Sequence, residues 1–435
     1  MQINKSYVCK KLGLAYYFIR IDGASFSVKN TTGCRIVEEL LACQTSAGAR
    51  NNFVAAIPDP HKQAAGSDFD RLAELLCHKY GVFEAYGQPA PDARENAGDV
   101  AKELYAGMTA RTKVAKCHIE LTNYCNFECQ MCYLRPVMKR EASKAIKLSE
   151  FREIMRLLEE DGVIDIGLTG GEPFLNPEIY GILETLANTN CFVSVNTNGS
   201  VLDDRIVSAL KRLRLRSIEV SIYGFSEGSY KRITNRMSFE TVMRNVEKCT
   251  AENLPVRLKY TLQKGNIADV GAFKEYCEHK KMRYLITQGA LVPDVCGNSA
   301  ENLMLSSDEM GKLCAEKIID PRPNTCGAKC HPATSRIAID SCGNVFPCET
   351  LRIKLGNIFE GDPSQLIGEN NRRLARLENV PSAESPECAA CKIKQFCSVQ
   401  ACPAARYLAT GSLGGAYRPA CAQADIFQKI NGKIQ

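Results

Sequence analysis

Leu121-Thr122-Asn123-Tyr124-Cys125-Asn126-Phe127-Glu128-Cys129-Gln130-Met131-Cys132-Tyr133 carries three cysteines separated by three and then two residues. What flanks this stretch decides the architecture. Upstream, His118 to Leu121 reads as a short strand. Downstream, a helix from Ser149 to Asp161 leads to a strand at Ile164 to Leu168, a helix near Glu178 to Leu186 and a strand at Phe192 to Asn196. A helix near Asp204 to Leu213, a strand at Ile218 to Ile222, a helix from Phe239 to Ala251 and strands at Val256 to Leu262 and Tyr284 to Gln288 continue the pattern. Such alternation predicts a parallel sheet with helices on its outer face. The expected class is α/β, with a partial (βα)6 barrel over residues 116–300, a bridging segment at 301–325 and a cysteine-rich domain at 326–435, where glycine, proline and cysteine replace the periodicity.

The first 92 residues read as a separate unit. Tyr16 to Ile21 and Ala24 to Val28 are β-rich runs joined by Asp22-Gly23, a hairpin signal. Cys34 to Ala42 and Phe69 to Tyr80 have helical spacing, and Pro58, Pro60 and Gly66 break the stretch between them. Pro89, Pro91 and Gly98 mark a linker over 93–115.

The chain has 435 residues, 45% hydrophobic and 24% charged, which is enough to bury a core without staples. No apolar run approaches the length of a membrane span, and the start lacks the apolar stretch of a secretory signal, so the expectation is a cytoplasmic protein with no membrane partner. In a reducing compartment the 22 cysteines, nine of them between Cys326 and Cys421, point to metal rather than to disulfides. A net charge of +6 is spread over scattered lysines and arginines, so no nucleic-acid partner is expected.

A cubane iron–sulfur cluster normally takes four thiolates. Three closely spaced thiolates wrap one cluster and leave its fourth iron open to a small chelating ligand. The Cys-x3-Cys-x2-Cys of Cys125, Cys129 and Cys132, followed by aromatic Tyr133 just after a strand, resembles the signature of the radical S-adenosylmethionine (SAM) superfamily. The resemblance implies that the open iron holds SAM, that one electron cleaves it to methionine and a 5′-deoxyadenosyl radical, and that the radical takes a hydrogen atom from substrate. Leu168-Thr169-Gly170-Gly171-Glu172-Pro173 resembles the family's GGEP motif, with Gly170 and Gly171 admitting a close ligand and Glu172 accepting from the SAM ammonium. Val195 to Gly199 resembles its TNG segment, with Asn198 as a contact. Val220 to Gly224 resembles its SxDG-like segment, in which the Ser221 hydroxyl contacts SAM but Tyr223 stands where relatives carry Asp. Arg232 and Arg236 bracket an arginine position without filling it, and Leu291 sits where relatives place an apolar contact to adenine. No catalytic acid or base is identified.

Cys330-x12-Gly343-x4-Cys348, then Cys388-x2-Cys391-x5-Cys397-x4-Cys402, then Cys421, resembles the SPASM domain, with x4 where x3 is usual before Cys402. The resemblance implies two auxiliary [4Fe–4S] clusters, three in all. Cys388, Cys391, Cys397 and Cys421 would hold the outer one, and Cys326, Cys330, Cys348 and Cys402 the inner, with Cys342 a competitor for Cys326. Zinc ribbons fit the Cys388-x2-Cys391 pair equally well.

Residues 1–92 resemble the winged-helix RiPP recognition element, which binds the leader of a ribosomal precursor peptide at a sheet edge. Together the resemblances imply a peptide maturase that abstracts hydrogen and forms a cross-link, most readily a Cys thioether, and that draws electrons from a flavodoxin or ferredoxin. Carbon–carbon (cyclophane-type) linkage, epimerisation and sulfatase-maturase-type oxidation are the alternatives within the class, and a zinc-binding peptide adaptor is the alternative outside it.

Overall fold

The computed structural model describes residues 1–21, 25–83, 97–137, 144–287, 294, 301–320, 332–368, 370–397 and 402–434. Among these residues the strands form one three-stranded and one nine-stranded sheet.

The small sheet is antiparallel, in the order β1 (Tyr7–Leu12), β2 (Ala15–Arg20), β3 (Ser25–Val28). Gly13, at φ +61, turns β1 into β2 in the left-handed region that a side chain resists. Three helices follow: α1 (Thr31–Ala42), α2 (Ser46–Ala55) and α3 (Lys62–Glu74). Asn30 caps α1 by accepting the Gly33 N–H at 2.6 Å. Their shared core includes Phe18, Val37, Leu40, Phe53 and Phe69, and Phe26 stacks between Phe18 (4.9 Å) and Tyr80 (4.3 Å). The segment read as a break between two helices thus contains α2 and the start of α3. Its sequence, Ser-Ala-Gly-Ala-Arg-Asn-Asn-Phe-Val-Ala, offers little apolar periodicity, and α2 is held by the Thr45 cap and by burial of Ala49 and Phe53. The Asp22-Gly23 turn lies outside the described residues.

Residues 97–110, read as linker, form helix α4 (Ala97–Ala110). Leu104 and Met108 pack with Val8, Tyr17 and Ile19 on one side and with Ile164 and Phe192 on the other. The connector is therefore the joint between the small sheet and the large one. Arg214 ties the same joint, donating to the carbonyls of Thr189 (2.8 Å), Tyr7 (3.0 Å) and Ile3 (3.2 Å).

The large sheet begins with six parallel strands in chain order: β4 (Lys116–Glu120), β5 (Asp165–Thr169), β6 (Phe192–Thr197), β7 (Leu215–Ile222), β8 (Val256–Tyr260) and β9 (Arg283–Ile286). Between them run α5 (Leu148–Asp161), α6 (Ile179–Ala187), α7 (Asp204–Leu210), α8 (Glu227–Thr234), α9 (Phe239–Ala251) and α10 (Val270–His279). After α11 (Ser307–Ala315), β10 (Arg336–Ile339) pairs parallel to β4, and β11 (Asn344–Phe346) and β12 (Gly356–Asn357) extend that side antiparallel. The cysteine-rich region therefore continues the barrel sheet. Short helices α12 (Pro386–Ala389) and α13 (Pro403–Thr410) and the longer α14 (Arg418–Ile434) complete the chain.

The sheet's two faces differ in chemistry. Cys117, Ile119, Ile166, Leu168, Val193, Val195, Ile218, Val220, Leu258 and Tyr260 join the core with helix residues such as Phe151, Ile182 and Val246. The alternate positions, His118, Glu120, Gly167, Asn196, Glu219, Ser221, Arg257 and Lys259, are polar or empty. A closed barrel fills its interior with branched aliphatics; this one presents hydrogen-bonding groups there. Among the described residues no helix is long and apolar enough to cross a membrane.

Candidate functional site

Cys125, Cys129 and Cys132 sit in the loop leaving the carboxyl end of β4, and that loop is held from two sides. The Glu128 and Gln130 N–H groups donate to the Thr234 (2.9 Å) and Ile233 (3.0 Å) carbonyls at the end of α8. Arg236 donates to the Asn126 carbonyl at 2.7 Å and pairs with Glu128 at 3.1 Å. From the other side, the Gly171 and Glu172 N–H groups donate to the Thr122 and Tyr124 carbonyls, both at 2.8 Å. Gly170 has φ +125, and a side chain on Gly170 or Gly171 would run into the Thr122 or Tyr124 carbonyl. The two glycines are required by this close approach of backbones.

Glu172 is fully buried. Its carboxylate accepts from Thr197 Oγ1 and the Asn198 N–H, both at 2.7 Å, and from the Phe174 N–H at 3.3 Å. Burial raises its pKa to about 7 in spite of these donors. In this arrangement the carboxylate is a strut between the β5 and β6 turns. The Asn198 side chain donates to Asn126 Oδ1 at 2.8 Å and reaches Cys125 Sγ at 3.7 Å. Ser221 lies half-buried at the end of β7. Tyr223 sits beside Cys129, edge-on to Tyr230 at 6.1 Å; burial, then the neighbouring Cys129, drive its phenol pKa far up.

On the β4 side, Arg352 makes a bidentate pair with Glu120, one arm at 3.3 Å, and His118 Nδ1 lies 3.1 Å from Glu349 Oε2. Tyr133 lies within range of both pairs, its pKa pushed far up first by burial and then by Glu120. The segment after Cys348 thus reaches the polar face of the sheet beside the cysteine loop.

Burial raises all three loop thiols, Cys125 to about 12, and each of Cys125 and Cys129 is raised further by thiols of the same loop. The sulfurs thus lie near enough to feel one another's charge. Thiols held so high keep their protons until a metal displaces them. Soft thiol donors on one loop, Cys129 buried and Cys125 and Cys132 half-buried, fit an iron–sulfur cluster with a small ligand at its open side. Among the described residues no three His, Cys, Asp or Glu side chains are gathered tightly enough to hold a single ion.

The later cysteines fall into two groups. Cys421 is raised first by burial and then by the charges of Cys397, Cys388 and Cys391. Cys348, buried and pushed up to about 11, has Cys402 as a neighbour against Leu351 and Ala404. Cys342 is exposed in the turn between β10 and β11. Cys326, Cys330 and Leu291 lie outside the described residues.

Sequence reading missed the α8–Arg236 clamp, the Glu120–Arg352 pair and Gln263, which is fully buried beyond β8 with neither side-chain amide atom hydrogen-bonded. The alternation in Glu219-Val220-Ser221 and in Arg257-Leu258-Lys259 carries a signal for the polar face; the clamp leaves none.

Residues 119–270 match the Radical SAM superfamily. The segment is a radical SAM domain. Through it the chain is similar to the probable GTP 3′,8-cyclase of Thermococcus kodakarensis, 30% identical over 152 residues, 35% of this chain and 49% of that protein. The AdoMet-dependent heme synthase of Methanosarcina barkeri is 24% identical over 327 residues, 67% of this chain and 92% of that one. The chain spans about half the length of the first of these curated relatives and most of the second; both are enzymes. Two solved structures share the fold beyond the radical SAM domain. Streptococcus suis SuiB bound to precursor peptide SuiA superposes with TM-score 0.62 at 13% identity, covering 97% of this chain and 99% of that one. Native anSMEcpe with bound AdoMet gives 0.54 at 18% identity, covering 73% of this chain and 97% of that one.

Proposed function

We propose that the protein is a radical SAM maturase that abstracts a hydrogen atom from a ribosomal precursor peptide and closes an intramolecular cross-link, a Cys thioether being the product favoured. A cluster on Cys125, Cys129 and Cys132 would supply the electron that cleaves SAM. Gly170, Gly171 and Glu172 would receive the ligand's amino end, with Asn198, Ser221 and Tyr133 around it. Cys388, Cys391, Cys397 and Cys421 would hold an outer auxiliary [4Fe–4S] cluster, and Cys348 and Cys402, with Cys326 and Cys330, an inner one. Residues 1–92 would bind the leader, and a flavodoxin or ferredoxin would deliver electrons.

The observation that carries this reading is the likeness to SuiB in complex with its precursor peptide, which spans the three-stranded unit, the barrel and the cysteine-rich region together. Co-expression with a short leader-bearing peptide encoded beside this chain tests it: the expected product has lost two hydrogens, and deletion of residues 1–92 prevents that loss. An unmodified peptide in the presence of SAM cleavage would refute the maturase assignment. The curated relatives favour a second reading, a radical SAM enzyme acting on a small molecule. It requires that GTP or an iron porphyrin, added to the reduced protein with SAM, be converted in step with 5′-deoxyadenosine release.

A further inference from the structure

Hydrogen-bonded register aligns Asn196 with Glu219, Glu219 with Arg257, and Arg257 with Arg283, a level row across β6 to β9 on the polar face of the sheet. Lys259, the register partner of Ser221, stands one layer nearer the cysteine loop. It reaches back to Glu219 Oε2 and Asn196 Oδ1, both at 3.3 Å, while Arg257 Nε meets Glu219 at 2.8 Å. Burial works to raise the Glu219 carboxyl, but Arg257 and Lys259 hold it below the usual carboxylate range. On the β4 side, half-buried Arg352 and buried Glu120 match one to one. In this row, among the described residues, two cations share one carboxylate and a third, Arg283, is exposed beside them. Glu219 keeps 7% of its side-chain surface, whereas Arg257 keeps 41% and Lys259 32%. The surplus charge is thus presented to the open face of the sheet.

Charges on the inward positions of a barrel are retained where the interior receives a polar ligand, since a packed interior would exclude them. A half-buried Arg–Lys pair around a single buried carboxylate keeps donors for a second one, and a carboxylate matches the planar guanidinium fork.

We infer that Arg257 and Lys259 form a carboxylate-binding subsite on the inner face of the barrel, taking an acidic group of the substrate next to the radical SAM centre. As an acidic residue of a core peptide, that group deepens the maturase reading and rests on it. SAM itself is the other source of a carboxylate at this level.

The test is binding, without turnover. N-acetylglutamate α-amide and its isostere N-acetylglutamine α-amide are titrated against anaerobically reconstituted protein, with and without SAM, by ligand-observed NMR. With SAM present the glutamate probe is expected to bind about tenfold more tightly than the glutamine probe. Arg257→Gln/Lys259→Gln should bring that ratio to about one. Glu219→Gln, which removes the competing carboxylate, should widen it, so loss and gain are both read while iron content reports an intact fold. Discrimination seen only without SAM, together with weaker SAM binding in the double variant, would assign the subsite to the SAM carboxylate. Equal binding of the two probes in all conditions, with SAM affinity unchanged in the variants, would overturn the inference. Neither readout needs a precursor peptide, so this result and failure of the maturase reading remain separate.

Discussion

The loop carrying Cys125, Cys129 and Cys132 and the turns carrying Cys388, Cys391, Cys397 and Cys421 offer the same donor chemistry on different foundations. The loop hangs from the end of a central strand and is hydrogen-bonded to the turns after β5 and to the end of α8. Its surroundings belong to a core that runs from Val114 to Phe427. The later turns touch that core through Phe396 and, on α14, Ala424 and Phe427, and otherwise rest on two small clusters, Ala405–Tyr417–Ala420 and Cys348–Leu351–Ala404, and on short helical turns. With few strands beneath them, these turns would draw folding free energy from the metal proposed there, whereas the loop draws its order from the sheet.

Removing iron should break this contrast most visibly. In protein prepared without iron, limited proteolysis read by mass spectrometry is expected to cut freely within 381–425 and to leave 116–287 intact; equal resistance of both regions would contradict the comparison. A smaller effect is expected at Arg373, which is fully buried and donates to the carbonyls of Ala333 (2.8 Å), Thr334 (2.7 Å), Leu366 and Thr112. This guanidinium fastens the segment after β12 to the barrel. Arg373→Met strands those acceptors and should cost about 3–5 kcal/mol in urea unfolding.

Glu172 sharpens the same comparison from the sheet side. Its folded pKa of about 7 lies above the ordinary 4.5, so the native state holds the extra proton between these values. The stabilisation is complete below pH 4.5 and lost as pH rises through 7, on the order of 3 kcal/mol. Glu172→Gln should abolish that pH dependence in the SAM-free protein, as read from unfolding midpoints between pH 5 and 8. Arg236→Gln is the mildest: its pair with Glu128 is partly exposed, so the loss should be about 1 kcal/mol, mostly from the bond to the Asn126 carbonyl.

The parallel strands were legible because each is a local apolar run followed by an amphipathic helix, as in Asp165-Ile166-Gly167-Leu168 before α6. The cysteine spacing was legible because wrapping one cluster with three thiolates is a local demand. The pairing of β10 with β4 was not, since it joins Arg336 to Lys116 across about half of the chain and no local pattern records a partner that distant. Helix α4 was hidden because Pro89, Pro91 and Gly98 read as linker; burial of Leu104 and Met108 outweighs the cost of its glycines. The hydrogen bonds that brace the Glu172 carboxylate were equally hidden, because their donors, Thr197 and Asn198, come from the next strand end.

The most direct test of the account compares the wild-type chain with Cys125→Ala/Cys129→Ala/Cys132→Ala, both reconstituted anaerobically with iron and sulfide and given SAM and a strong reductant. Wild-type protein should carry roughly twelve irons and release 5′-deoxyadenosine, while the variant should carry about eight and release none. Reductive SAM cleavage by the variant, or a colourless wild-type protein holding about two zincs instead, would contradict it.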